Sequence, residues 1–117
     1  AVNTAGDTCI LQSVTVADIS DQGFGFDLIF FNAATSLGTE NSAPDIDDTE
    51  VLTVIGRVQI GAGSFYDLGG CRVACVYGIG LPLKSGASTS LYVAGIARGA
   101  GTYAANGLQI KLGFMRN

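Results

Sequence analysis

The sequence predicts an all-β protein: a single antiparallel β-sandwich, jelly-roll-like, with at most one short helical turn. Three observations carry this. Runs of β-branched and aromatic residues recur at spacings of roughly ten to fifteen residues and are broken by Gly-rich turns, with almost no helical periodicity. Several runs alternate apolar and polar side chains, the period of a strand with one face buried. The 117 residues suit one domain, 1–117, because a second core would need roughly another hundred.

Residues 1–7, AVNTAGD, are small and polar and read as an N-terminal arm or loose end. TCILQSVTVADI, 8–19, is the first strand and stops at Ser20-Asp21-Gln22-Gly23. GFGFDLIFFNAA follows, with Phe24, Phe26, Leu28 and Phe30 on one face. Ile29 and Phe31 are apolar on the other, so its middle should be covered on both sides. Gly23 and Gly25 mark a bulge or a close approach of neighbouring backbone. Residues 35–45, TSLGTENSAPD, form a polar loop. From Ser42 a short helical turn can run into DIDDTEVL, since Pro44 is tolerated in a first turn and acids suit a helix N-terminus.

VLTVIGRVQI, 51–60, is the next strand, ending at Gly61-Ala62-Gly63. Phe65, Tyr66 and Leu68 make an apolar patch before Gly69-Gly70. Cys71–Gly78 is a strand, Leu81-Pro82-Leu83 opens another extended piece, and 84–89, KSGAST, is a turn. Strands at 90–99 and 107–115 flank the small-residue loop 99–106. In the last strand Leu108, Ile110, Leu112 and Phe114 alternate with Gln109, Lys111 and Gly113, the mark of a half-buried antiparallel strand. Long connections alternating with strands favour the jelly-roll variant.

Composition narrows the function. Hydrophobic residues make up 48% of the chain and charged ones 14%, where about 25% charged is usual. Size scaling gives about 6,000 Å² of folded surface for this mass, little interior for so many apolar side chains. Part of the surplus should be surface that another protein covers. The net charge is −4 and the six Lys/Arg are scattered singly, which argues against nucleic acid and against an anionic membrane. No apolar run approaches the ~20 residues of a spanning helix.

The three cysteines leave at least one thiol without an intramolecular partner. Cys71 and Cys75 on one regular strand are about 13 Å apart, beyond the reach of a disulfide, while Cys9 could pair with either. Buried free thiols are the expectation.

The sequence predicts no catalytic residue, no cofactor and no metal. With no His, nucleophilic Ser or Cys chemistry lacks its usual base. Lys84-Ser85 lies in a solvated turn, and GFGF and GIG fall short of a nucleotide-binding loop. Asp45, Asp47 and Asp48, with Glu50, could supply calcium oxygens or paired carboxylates. The run lacks EF-hand spacing, however, and a solvated acidic turn explains it.

The segments LQSVTVADIS, FDLIFFNAATS, ENSAPDIDDTEVLTVIGRVQI, GIGLPLKSGASTSLYVAGIARG and GLQIKLGFM follow one another from about Leu11 to the end. That order resembles the capsid decoration, or cement, proteins of tailed bacteriophages. The resemblance implies a non-enzymatic virion protein on the outer surface of the capsid, bound to the major capsid protein and assembled as a homo-oligomer, dimer or trimer. The alternatives are a head–tail or tail accessory protein and a small glycan- or ligand-binding sandwich. For a protein interface the candidates are Phe65, Tyr66, Tyr103 and Met115, Phe65 and Tyr66 being equally able to cap the core. The chain ends are candidate contact arms, and Arg98 reads as a rim position.

Overall fold

In the computed structural model, residues 1–38 and 43–116 are described. Seven strands form: β1 (Thr8–Asp18), β2 (Phe26–Phe31), β3 (Val54–Ile60), β4 (Phe65–Asp67), β5 (Arg72–Lys84), β6 (Tyr92–Ala97) and β7 (Leu108–Met115). They make two antiparallel sheets, β4-β5-β1-β7 and β3-β2-β6, with the core between them. The protein is a β-sandwich. Seven strands in this order do not supply the eight of a jelly roll among the described residues, so the sandwich is the level at which the fold is established.

The core is built by alternation. Cys9, Leu11, Val14 and Val16 of β1 point inward onto Phe26, Leu28 and Phe30 of β2, joined by Val58, Ile60, Ala74 and Leu83. Each Val, Leu, Ile or Phe among them contributes roughly 1.5–3 kcal/mol on burial. Phe31, on the opposite side of β2, is also fully buried and Ile29 half-buried, so the middle of β2 is covered on both faces as its apolar run predicts. Val2 sits in the core and its N–H donates to Thr89 at 3.2 Å, while Gly6 N donates to Ser85 Oγ at 2.9 Å. Residues 1–7 are therefore tied down rather than loose.

Several sequence-based boundaries move. The run 71–84 is one strand, because Gly78 and Gly80, both at φ +64°, absorb a bulge where the chain was expected to break. The register of β1 shifts between Leu11 and Ser13 at the same level. Pro82 lies opposite Ile10 of β1, in the part of β5 that β4, paired only with Arg72–Ala74, does not reach, a place where a sheet can admit a proline. The aromatic patch is itself the short edge strand β4.

The helical turn forms later than expected, as a single 3₁₀ turn at Glu50–Thr53, and β3 starts at Val54 rather than at 51. Asp47 Oδ1 accepts the N–H groups of Thr49 (2.9 Å) and Glu50 (2.7 Å), which sets the turn's start. Ser42 and the rest of 39–42 lie outside the described residues. A second 3₁₀ turn, Ala62–Ser64, corrects the expectation of at most one; its small residues let Ser64 N close on Gly61 O at 3.0 Å. Gly25 meets its expectation, since a Cβ there would stand 2.7 Å from Ile60 O. Among the described residues no helix is long and apolar enough to cross a membrane.

Candidate functional site

Residues opposite one another on paired strands share a face, so the strand register gives the outer face of the four-stranded sheet directly. Its rows run Tyr66–Val73–Ala17–Gln109, Cys75–Thr15–Lys111, Tyr77–Ser13–Gly113 and Pro82–Ile10–Met115, closing on Lys84–Thr8. Tyr77 is 75% exposed, Tyr66 70% and Met115 56%, large apolar groups standing on a floor of small side chains. The face carries Lys84 and Lys111 and no acidic residue, in a chain of net charge −4. Cys75 and Tyr77 are neighbours on it, and the thiol beside the phenol holds the Tyr77 hydroxyl above its ordinary range.

The outer face of the other sheet is different. There Asp27, nearly buried, is held by Arg98 at 2.9 Å and Arg57 at 3.5 Å. Arg98 is thus an ion-pair partner and not a free rim charge. One oxygen of Asp27 has no hydrogen bond of good geometry, so the longer contact is the weaker of the two.

A second surface lies where β6 and β7 border the interior. A cavity of about 190 Å³ opens there, lined by Phe24, Gly25, Phe26, Gly95, Ala97, Tyr103, Leu108 and Ile110. Phe24, which leads into β2, and Ile110, Val93 and Ala97, whose rows face inward, are all exposed. Two long-range bonds fix the loop that brings Tyr103 here: Thr102 N to Gln22 Oε1 at 3.1 Å and Ala104 N to Ser20 Oγ at 3.1 Å. The turn receiving it is built on Asp18, fully buried, whose Oδ2 accepts Gly23 N at 2.6 Å and Gln22 N at 3.0 Å. Burial, and after it the nearby Asp18 carboxylate, pushes the Tyr103 phenol up, while the Phe24 main chain offsets part of the effect.

The four interface candidates are not brought together. Tyr66 and Met115 share the outer sheet face, Tyr103 lines the cavity, and Phe65 packs against the core. Of the proposed C-terminal arm, Met115 belongs to β7, where Gln12 Nε2 approaches its sulfur at 3.1 Å, and Asn117 lies outside the described residues. Sequence reading missed Tyr77 and Cys75, although the inward Ala74 and Val76 of the same strand would have placed them outward by alternation.

In the acidic run, Asp47 caps the 3₁₀ turn and Asp45 N donates to Leu37 O at 2.8 Å. No three His, Cys, Asp or Glu side chains cluster to hold a metal among the described residues. All three cysteines are free: Cys9 is buried, Cys71 half-buried and Cys75 exposed, so only the first fully fits the expectation of a buried thiol. Burial pushes the Cys9 thiol above its usual range. Cys9 faces the core opposite Leu83 while Cys75 stands on the outer face opposite Thr15, which keeps them on different sides of one sheet. No family model matches the chain, and no curated protein and no solved structure matches it.

Proposed function

We propose that the protein is a non-enzymatic structural protein of a bacteriophage virion, coating the outside of the capsid and binding the major capsid protein through the outer face of β4-β5-β1-β7. The observation that carries the reading is that face: broad, free of acids in an acidic chain, and studded with Tyr66, Tyr77 and Met115. Aromatic side chains standing on a small-residue floor are the usual anchors of protein interfaces. The surface area supports the same reading. The molecule exposes 6900 Å², where a monomer of this mass exposes about 6,000 Å². A homo-oligomer bridging several capsid subunits would turn moderate contacts into strong attachment by avidity.

The test is the copy number of this chain in purified particles, by quantitative mass spectrometry against the most abundant shell protein. A ratio near one or a simple fraction supports a capsid coat. A handful of copies moves the protein to the tail or portal, and none removes it from the virion and favours glycan binding. Tyr66→Asp and Tyr77→Asp should each lower occupancy at least about tenfold if the sheet face makes the contact. Full occupancy by both variants would remove that face from the interface.

A further inference from the structure

We propose that the seam between β6 and β7 is a docking site for an extended, uncharged strand of a partner protein, which pairs with the free edge of β6 and sets an apolar side chain into the cavity.

The first argument is the charge on the edges. Among the described residues each sheet leaves two strands with an unpaired side, β4 and β7 in one and β3 and β6 in the other. Three of the four carry a charged residue, Asp67 in β4, Lys111 in β7 and Arg57 in β3, the common protection against edge-to-edge pairing. β6, Tyr92-Val93-Ala94-Gly95-Ile96-Ala97, carries none. Its unprotected row of N–H and C=O groups therefore suits strand addition.

The second argument is the space beside that edge. The inward row of β6 is Val93, Gly95 and Ala97, and a Cβ added at Gly95 would meet nothing within 4 Å. Opposite stand Leu108 and Ile110 of β7, with Phe24 and Tyr103 closing one end. The cavity of about 190 Å³ exceeds the roughly 150 Å³ that accommodates a benzene ring in an apolar protein site, so one large aliphatic or aromatic side chain fits. Its lining residues carry no charge, so a charged side chain entering it would lose its water without gaining a partner.

The third argument decides the occupant. Two copies abutting along the six residues of β6 would meet over a strip about 20 Å by 10 Å, on the order of 200 Å². A stable dimer needs roughly 800 Å² per partner. An inserted strand needs no such plane: its main chain supplies the hydrogen bonds and its alternate side chains the specificity. This inference rests on the protein-binding reading only in taking the strand from a protein, and it involves a surface separate from the outer sheet face.

The test is hydrogen exchange of the intact chain with about 1 mM of a blocked hexapeptide alternating Thr and Val, against one alternating Thr and Glu. The alternate amides of Tyr92–Ala97 that face the free edge, rather than β2, should exchange at least about tenfold more slowly with the Thr-Val peptide and unchanged with the Thr-Glu peptide. Gly95→Asp, whose side chain enters open space, should abolish the slowing while the melting temperature stays put. Val93→Glu on the same inward row serves as a second variant. Absence of slowing in β6, equal slowing by both peptides, or slowing only along β3 would each overturn the proposal. Protection that survives in a folded Gly95→Asp or Val93→Glu protein would overturn it too. A stoichiometric copy number in particles without peptide protection would discard the seam and leave the sheet face standing, and protection without particle binding would do the reverse.

Discussion

Two glycines flank the central strand of the three-stranded sheet, Gly56 opposite Phe30 and Gly95 opposite Leu28, and they meet opposite surroundings. A Cβ at Gly56 would stand 2.9 Å from Leu83 and 3.0 Å from Leu81, both of β5. At Gly95 it would touch nothing within 4 Å. The two sheets close tightly at β3 and β5 and stay apart at β6 and β7. The same residue, on the same inward face one row apart, is thus a packing requirement on one side and a vacancy on the other. Tight packing belongs to the closed side, and the space for the proposed strand belongs to the open one.

Substitutions can break that contrast, the largest effect first. Phe30→Ala should cost about 3–5 kcal/mol, whereas Ile110→Ala at the open seam should cost less than about 1 kcal/mol, measured by denaturant unfolding. Gly56→Val should destabilise by about 1–3 kcal/mol through overpacking against Leu81 and Leu83, while Gly95→Val should leave stability within about 0.5 kcal/mol. Equal costs for the two glycines would mean that the seam is closed in solution. Asp18→Ala should cost about 1–3 kcal/mol, because Gly23 and Gln22 lose a buried acceptor and the turn under Tyr103 loosens.

Smaller effects sharpen the comparison. The Tyr103 phenol is raised when folded, so its contribution is full below the unfolded value of about 10 and falls as pH rises from there through the folded value. Unfolding midpoints followed from pH 8 to about pH 11 should drop, and Tyr103→Phe should flatten the slope. Thiol labelling should run Cys75 first, then Cys71, with Cys9 reacting only on unfolding. Early labelling of Cys9 would place an opening in the closed side.

Much of the fold was legible in the chain. The alternation of Cys9 with Leu11 and of Val14 with Val16, on either side of the bulge, and the doubly apolar run Phe26–Phe31 are local patterns that the sheets only had to satisfy. The continuity of β5 was not legible, because Gly78 and Gly80 read as a break. Only the matching bulge in β1 shows that they bend a strand instead of ending it. The seam was less legible still. In the last strand Ile110 fits the same pattern as the half-buried Leu108 and Leu112, and nothing in its neighbours announces that it stands at an open edge. Of the candidate surface residues, Tyr66 could be named but not separated from Phe65 until the register put one outward and the other toward Ala74.

The sheet face bearing Lys84 and Lys111 has a consequence for how the molecule meets other charged surfaces. Ten acidic residues and six basic ones give the chain its negative net charge, yet this one face holds only cations. The two lysines make this face locally positive, the side a negatively charged surface would attract. If this face makes the proposed contact with a negatively charged surface, the association rate should fall with added salt over the range where the screening length drops below about 10 Å. The dissociation rate, which Tyr66 and Tyr77 would set in that contact, should change much less.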